Sequence, residues 1–181
     1  MELPADLTLF AFDLDGTLAN FPIDYNSMRE ELRLFFSSDS DFSPIITEIT
    51  NLSDNNPELV EQAYRIIDKF ELRSVSKCAP IWKTIEMYKS THSSEKNTVI
   101  ITRNGRALVS EFLNFVNIPN PDLICSRDEV EILKPDISHF QHVIENIDAE
   151  PHRCLIIGDS YHDSELANNC GANFLHVDDI K

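Results

Sequence analysis

Two carboxylates two residues apart, Asp13 and Asp15, are the first sign of chemistry in this chain. They follow an apolar run, Leu7 to Phe12, whose length and composition predict a buried strand. Two negative charges about 4 Å apart repel by roughly 4 kcal/mol at an effective dielectric constant of about 20, so a cation or a shared proton must relieve them. Gly16 allows the backbone to turn sharply just after them. The pattern therefore predicts a metal and an acid–base pair at the end of a strand.

Further polar groups follow or precede other predicted elements. Thr102 ends the apolar run 99–101, and Lys134 with its following proline precedes a helical pattern. The segment Gly158–Asp163 follows another apolar run and supplies two more carboxylates. If the strands are parallel, most of these groups point from one edge of the sheet, which is where α/β proteins bind ligands.

One hydroxyl, one ammonium and four carboxylates form a set that suits phosphoryl transfer through a covalent intermediate. One carboxylate can attack phosphorus, and a second can protonate the leaving oxygen and then activate water. A hard cation held by carboxylate oxygens neutralises the phosphate, and magnesium fits this role best. The lysine and the threonine can donate hydrogen bonds to the non-bridging phosphate oxygens.

These groups depend on five predicted strands and on the helices between them. The predicted strands are Leu7–Phe12, Thr98–Ile101, Leu123–Cys125, Cys154–Ile157 and Asn173–Val177. Apolar residues at helical spacing predict helices at Gly105–Val116 and Ile137–Ile147. A shorter helix is predicted at Ser164–Cys170, where Gly171 provides a typical C-terminal stop. The alternation predicts an α/β fold with a doubly wound parallel sheet covered on both faces.

Residues 19–96 interrupt this alternation. They show no strong strand pattern, and the predicted helices are Asn26–Phe36, Ser43–Leu52, Pro57–Val75 and Ala79–Lys89. About 80 residues is too long for an ordinary crossover, so we expect a small helical cap inserted after the first strand. The core would then comprise residues 1–18 and 97–181.

A basic stripe recurs every four residues on the third helix of the predicted cap. Its members are Arg65, Lys69, Arg73 and Lys77. We favour a solvent-exposed face paired with nearby acids over a surface that attracts an anionic substrate.

Composition excludes several classes of protein. The 181 residues carry a formal net charge of −16, which disfavours a nucleic-acid partner. No apolar stretch approaches the roughly 18 residues of a membrane helix, and the N-terminal residues do not resemble a secretory signal. The four cysteines contain no C-x-x-C pair and are expected to be reduced thiols. We therefore expect a cytoplasmic protein without a membrane partner, and the sequence leaves its oligomeric state open.

The order Asp-x-Asp-Gly-Thr, Thr, Lys-Pro and Gly-Asp-Ser-x-x-Asp resembles the haloacid dehalogenase superfamily of phosphatases. The resemblance covers residues 7–18 and 97–178. The helical insertion is similar, more loosely, to the small cap of the phosphoglycolate-phosphatase-like branch. The resemblance implies a Rossmann-like core and a magnesium-dependent enzyme that hydrolyses a small phosphorylated metabolite.

Carried over residue by residue, the resemblance implies a role for each motif position. Asp13 would be the nucleophile, and Asp15 would be the general acid–base. Thr102 and Lys134 would bind the phosphate. The backbone N–H groups expected to face the phosphate are those of Leu14 and Arg103. The metal ligands implied are Asp13, Asp159 and the backbone carbonyl of Asp15. The supporting positions implied are Gly16, Thr17, Gly158 and Asp163, the last beside the metal or Lys134.

The chain departs from the family pattern at two positions. Ile137 stands where a second proline often follows the Lys-Pro motif, and Asn20 stands where an aspartate is frequent. Asp15 argues against a true dehalogenase, which has no need of an acid for its leaving group.

Three alternatives stay open at this point. They are a sugar-phosphate mutase of the same family, a phosphatase acting on a protein or nucleic acid, and a catalytically silent acidic interaction module.

Overall fold

A computed structural model describes residues 6–54, 56–94 and 96–180. Its strands and helices follow one another along the chain as β1 (Leu9–Phe12), β2 (Ala19–Asn20), α1 (Tyr25–Phe36), α2 (Ile45–Leu52), α3 (Pro57–Val75), β3 (Ala79–Pro80), α4 (Trp82–His92), β4 (Asn97–Ile101), α5 (Arg106–Val116), β5 (Leu123–Cys125), α6 (Ile137–Asn146), β6 (Cys154–Gly158), α7 (Tyr161–Cys170) and β7 (Asn173–His176).

Five parallel strands form the central sheet in the order β5-β4-β1-β6-β7. Phe12, the last residue of β1, pairs with Ile100 of β4 and with Ile157 of β6. The carboxyl ends of these three strands therefore lie side by side. The predicted α/β fold with a doubly wound parallel sheet is confirmed.

The side chains of β1 alternate between two apolar clusters. Leu9 and Ala11 pack with residues of α6 and α7, whereas Phe10 and Phe12 belong to the larger cluster that includes residues of α4 and α5. Because a strand buried on both faces needs apolar residues at every position, β1 reads as a continuous apolar run.

Helices α1 and α2 each pack against α3, and α3 also packs against α5 of the core. The longest, α3, begins where the sequence predicts. The side chain of Asn56 accepts a hydrogen bond from the N–H of Glu58, and Pro57 occupies the first turn. Residues of all three helices line a cavity at the carboxyl edge of the sheet.

The fourth predicted helix of the insertion differs from expectation. Ala79 and Pro80 are not helical; they pair with Asn20 and Ala19 in a two-stranded antiparallel ribbon. The predicted helix start at Ala79 is therefore wrong, since the helix begins at Trp82, and the short ribbon lies in a segment predicted to lack a strong strand pattern. Two-residue strands are too short to show an alternating pattern, and a proline near the start is compatible with the helix that was predicted there.

Helix α4 packs on the sheet. The ring of Tyr88 meets Phe12 edge-on at 5.4 Å, and its hydroxyl donates a hydrogen bond to the carbonyl oxygen of Pro119 at 2.8 Å. The domain division at residues 18/19 and 96/97 stays a prediction. These contacts favour an insertion that ends before Trp82.

Helix α7 begins three residues earlier than predicted. A reciprocal capping box forms between Ser160 and Asp163, and it starts the helix at Tyr161. Asp163 is thereby fixed in the first turn with its side chain buried.

The members of the basic stripe are all exposed, but only Arg65, Lys69 and Arg73 lie on α3, because the helix ends at Val75, before Lys77. Arg65 pairs with Glu61 at 2.6 Å, and Lys69 pairs with Glu31 of α1 at 2.6 Å. The four cysteines are free thiols. Across the described ranges, none of the helices has both the length and the apolar character to span a bilayer.

We expect Tyr88→Phe to lower the free energy of unfolding by about 1 kcal/mol, because it removes a part-buried hydrogen bond but leaves the ring in place. Urea denaturation of the full chain measures the change. Tyr161→Phe is the matched control, since Tyr161 is 69% exposed and its loss of a hydroxyl should be neutral within about 0.5 kcal/mol. Equal effects of the two substitutions would contradict the role of Tyr88 in the core.

Candidate active site

The residues singled out from the sequence converge at the carboxyl edge of the sheet. Asp13 follows β1, Thr102 follows β4 and Asp159 follows β6, and Lys134 enters from the loop between β5 and α6. All four line a cavity of about 390 Å³. The cavity also contacts Asp15 and Arg103, together with residues of α1, α2 and α3.

Lys134 is the most constrained group in this cavity. Its ammonium lies 2.6 Å from Oδ1 of Asp13 and 2.6 Å from Oδ1 of Asp163. It also donates a hydrogen bond to the carbonyl oxygen of Ile101 at 3.1 Å. The residue is only 3% exposed. Burial by itself would lower the pKa of Lys134, but the two carboxylates raise it above its usual value, so the lysine stays charged.

The two carboxylates beside Lys134 have different environments. Burial raises the pKa of Asp13, while the charge of Lys134 opposes the rise. Burial also acts to raise the pKa of Asp163, but Lys134 and hydrogen bonds from Ser160 hold it below its usual value. Asp163 therefore serves as the permanent partner of Lys134. Asp13, poorly solvated and facing the cavity, is the carboxylate suited to act as a nucleophile.

Asp15 lies beside Asp13 in sequence but in a separate electrostatic setting. Its Oδ1 accepts a hydrogen bond from the N–H of Phe21 at 3.0 Å. Burial raises the pKa of Asp15, and the negative charges of Asp159 and Glu71 add to the rise against the Phe21 hydrogen bond. A carboxyl group with a raised pKa keeps its proton to a higher pH than a free aspartate, which suits a group that must give a proton and then take one.

The turn after β1 supports these carboxylates. Leu14 presents its N–H to the carboxylate of Asp13. Thr17 is buried, and its N–H donates to the carbonyl oxygen of Leu14 at 3.2 Å. Gly16 has φ +82°, and a Cβ there would overlap the carboxylate of Asp159. Only glycine therefore lets the turn approach Asp159 this closely.

Oxygen ligands for a hard cation are close together in this region. One carboxylate oxygen from each of Asp13, Asp159 and Asp163 lies within 4.8 Å of the others. Asp163 is engaged by Lys134 and by the hydroxyl of Ser160, so Asp13 and Asp159 are the freer ligands. Gly158 permits this arrangement, because a Cβ there would overlap the Asp163 carboxyl group. An all-oxygen donor set fits Mg²⁺.

Thr102 is fully buried, and its hydroxyl donates to Oδ1 of Asn104 at 3.0 Å. The amide of Asn104 in turn donates to Oε1 of Glu71 on α3 at 2.9 Å. Arg103, for which only a backbone role was expected, also directs its guanidinium to Nε2 of His162 at 2.9 Å. The position after β4 therefore connects the core to the helical insertion.

A buried ionic cluster that no sequence pattern predicted lies at the same edge of the sheet. Arg127, which follows β5, donates to Oε1 of Glu71 at 2.7 Å and also pairs with Asp68. The second oxygen of Glu71 accepts the N–H of Gly105 at 3.1 Å. Arg127 and Glu71 are 2% and 3% exposed. The side-chain hydrogen bonds of Arg127 and Glu71 within this cluster join residues 33 to 59 positions apart in sequence. Local spacing therefore carries no signal for the cluster.

His139 is a second residue without a sequence signal. Its Nδ1 accepts a hydrogen bond from the N–H of Lys134 at 2.9 Å, and its Nε2 lies 3.2 Å from the carbonyl oxygen of Cys125. The backbone donor fixes the tautomer with the proton on Nε2. Burial, and then the charge of Lys134, lower the pKa of His139 to about 3. The neutral ring therefore fixes the backbone that carries Lys134.

Comparisons with known proteins agree with this geometry. Residues 10–177 match the family model of haloacid dehalogenase-like hydrolases. Pyrophosphatase PpaX from Bacillus cereus (strain B4264) is 26% identical over 171 residues, which cover 88% of this chain and 78% of the relative.

Two solved structures share the fold. CbbY from Rhodobacter sphaeroides, in complex with phosphate, has a TM-score of 0.69 at 15% identity, over 94% of this chain and 85% of CbbY. YfnB from Bacillus subtilis, bound to magnesium, has a TM-score of 0.56 at 17% identity, over 93% of this chain and 85% of YfnB.

We expect Glu71→Ala to lower the free energy of unfolding by about 3 kcal/mol, because it leaves the buried guanidinium of Arg127 with only the partly exposed carboxylates of Asp68 and Asp128. Chemical denaturation measures the change. Glu31→Ala is the control, since it removes an exposed ion pair with Lys69 and should cost less than about 1 kcal/mol. A Glu71 effect as small as that of Glu31 would show that the cluster does not hold the insertion to the core.

Proposed function

The chain belongs to the haloacid dehalogenase-like hydrolases, and on this premise we propose that it hydrolyses a small phosphorylated metabolite with magnesium through an aspartyl-phosphate intermediate. The observation that carries the proposal is the contact of Asp13 with Lys134 inside a cavity that Thr102 and Asp159 also line. This is a nucleophile, a fixed positive charge, a hydroxyl donor and a metal-binding carboxylate at one point.

In the first half-reaction, an oxygen of Asp13 attacks the phosphorus atom of the substrate. A bond forms between Asp13 and phosphorus, and the bond from phosphorus to the leaving oxygen breaks. Asp15 gives its proton to that oxygen. Lys134, Thr102 and the N–H groups of Leu14 and Arg103 stabilise the charge on the non-bridging oxygens.

In the second half-reaction, Asp15 takes a proton from water, and the water oxygen attacks the phosphorus atom. The bond to Asp13 breaks, inorganic phosphate leaves, and both aspartates return to their starting states. The raised pKa of Asp15 supports this exchange of roles, since the same group must hold a proton before the first step and accept one in the second.

Magnesium would be held by the carboxylates of Asp13 and Asp159 and by the backbone carbonyl of Asp15. When bound, it would neutralise the phosphate charge and orient the phosphoryl group for attack. Two observations support this ligand set. A carboxylate oxygen of Asp13 lies within 4.8 Å of one from Asp159, and Asp13 is only 6% exposed.

The helical insertion supports a small substrate. Helices α1 and α3 supply Tyr25, Arg29 and Glu71 to the wall of the cavity, whose volume of about 390 Å³ suits a metabolite rather than a protein segment. Closure of these helices over the sheet would exclude water other than the attacking molecule. The name of the relative PpaX, a pyrophosphatase, is consistent with a small phosphorylated substrate.

We expect Asp13→Asn to reduce turnover of p-nitrophenyl phosphate by at least about a thousandfold, because an amide oxygen does not form the phosphoenzyme. Release of p-nitrophenol in millimolar magnesium measures it, and thermal unfolding checks that the variant is folded.

Asp148→Asn is the matched control, because Asp148 is exposed and is not among the residues that line the cavity, and it should keep full activity. Chelation of the metal should stop the reaction, and added magnesium should restore it. Turnover that survives Asp13→Asn would rule out the nucleophile, and full activity in chelator would rule out the magnesium role. Release of inorganic phosphate in step with substrate loss separates a hydrolase from a mutase.

A second pair of variants tests the placement of Lys134 by His139. The oxygen of Asn at position 139 lies where Nδ1 lies and can accept the Lys134 N–H, whereas a Gln amide reaches the position of Nε2. We expect His139→Asn to keep kcat near that of the parent and His139→Gln to lose about tenfold, because only the latter releases the lysine backbone. Equal losses of kcat at similar thermal stability would contradict this positioning role.

A further inference from the structure

Four cationic side chains line the active-site cavity, and two of them have carboxylate partners. Lys134 lies between Asp13 and Asp163. Arg127 lies between Glu71 and Asp68. The positive charges of these two residues are therefore balanced within the protein.

The other two cations, Arg29 of α1 and Arg103 after β4, are not balanced in this way. Among the residues that the structure describes, no carboxylate oxygen lies within 4.0 Å of either guanidinium. Arg29 donates to the carbonyl oxygen of Phe42 at 3.4 Å, and Arg103 meets the ring of His162. The sequence has 31 acidic residues against 15 Lys and Arg, so a lack of carboxylates does not explain this.

Tyr25 connects the two arginines in space. The guanidinium of Arg29 lies 5.8 Å from the centre of the Tyr25 ring. Burial and the carboxylates of Asp15 and Glu71 raise the pKa of Tyr25 to about 12, while the charges of Arg29 and Arg103 both act against the rise. Tyr25 lines the same cavity as both arginines and the proposed general acid Asp15.

From this arrangement we infer that Arg29 and Arg103 bind a second anionic group, a carboxylate or a phosphate, on the leaving-group side of the substrate. The inference rests on the proposed function, in which Lys134, Thr102 and the metal already serve the transferring phosphate. A guanidinium presents paired N–H donors that match the oxygens of either anion.

The substrate class is then a small phosphomonoester with another anion a few bonds from the ester oxygen, a size that a cavity of about 390 Å³ accommodates. One arginine comes from the helical insertion and the other from the core. A substrate that contacts both arginines therefore links the insertion to the core across the cavity. An analogue of the same length whose second group is uncharged does not form this link.

Equilibrium binding to the Asp13→Asn protein in magnesium tests the inference without requiring turnover. Three compounds with the same two-carbon spacer serve as probes: 2-hydroxyethyl phosphate, 2-phosphoglycolate and ethane-1,2-diol bisphosphate. By calorimetry we expect at least one of the two compounds with a second anionic group to bind about tenfold or more tightly than 2-hydroxyethyl phosphate, whose second group is neutral. The tighter of the two anionic probes identifies carboxylate or phosphate as the second group.

Arg29→Gln and Arg103→Gln in the same background should bring the ratio of anionic to neutral affinity down toward one. Arg33→Gln is the matched control, because Arg33 lies one turn further along α1 and donates to the carbonyl oxygen of Ser40 outside the cavity, so the ratio should persist. Equal binding of all three probes, no measurable binding, or a ratio that survives both cavity substitutions would overturn the inference. Failure of the proposed function is seen separately, as absence of p-nitrophenyl phosphate turnover by the unsubstituted protein.

Discussion

The burial of one lysine is the constraint on which the rest of the site depends. Because Lys134 is only 3% exposed, its ammonium has lost its hydrating water and needs hydrogen-bond acceptors from the protein instead. Lys134 finds them in Asp13, Asp163 and the carbonyl oxygen of Ile101, which belong to three separate parts of the chain. Removal of any one of them would leave a buried charge without compensation. The parallel register of β1, β4 and β6 supplies the acceptors, and the ring of His139 fixes the backbone that delivers the donor.

A second buried charge, this time negative, holds the helical insertion to the core through hydrogen bonds that compensate its burial. Here the buried ion is the carboxylate of Glu71 on α3, and its donors are Arg127, Asn104 and the N–H of Gly105. Asn104 also accepts from the hydroxyl of Thr102, so one side chain lies between the insertion and the proposed phosphate ligand. Apolar packing between α3 and α5 brings the two parts together, and the polar contacts fix their register at the cavity.

The sheet and the motif residues were predictable because their signals are local. A buried parallel strand such as β1 is a continuous apolar run, and the polar residue that follows it belongs to the carboxyl edge. Glu71, Arg127 and His139 were not predictable, because nothing in their own neighbourhoods distinguishes a buried partner from a solvated side chain. The β2–β3 ribbon was not predicted for another reason: a strand of two residues is too short to show an alternating apolar pattern. Local pattern therefore identified the candidate chemistry, whereas the contacts that orient it come from tertiary packing.

The position of β1 has a consequence for how the chain folds. Within the sheet it is the first strand in chain order and also the central one, and Leu9 pairs with Asn97 on one side and with Cys154 on the other. Neither neighbour exists until the whole helical insertion has been made, and β6 is synthesised later than β4. Sheet formation thus requires closure of long loops, which slows folding and leaves an apolar strand unpaired during synthesis. An early-folding helical insertion would shorten the effective distance between the first two of these strands.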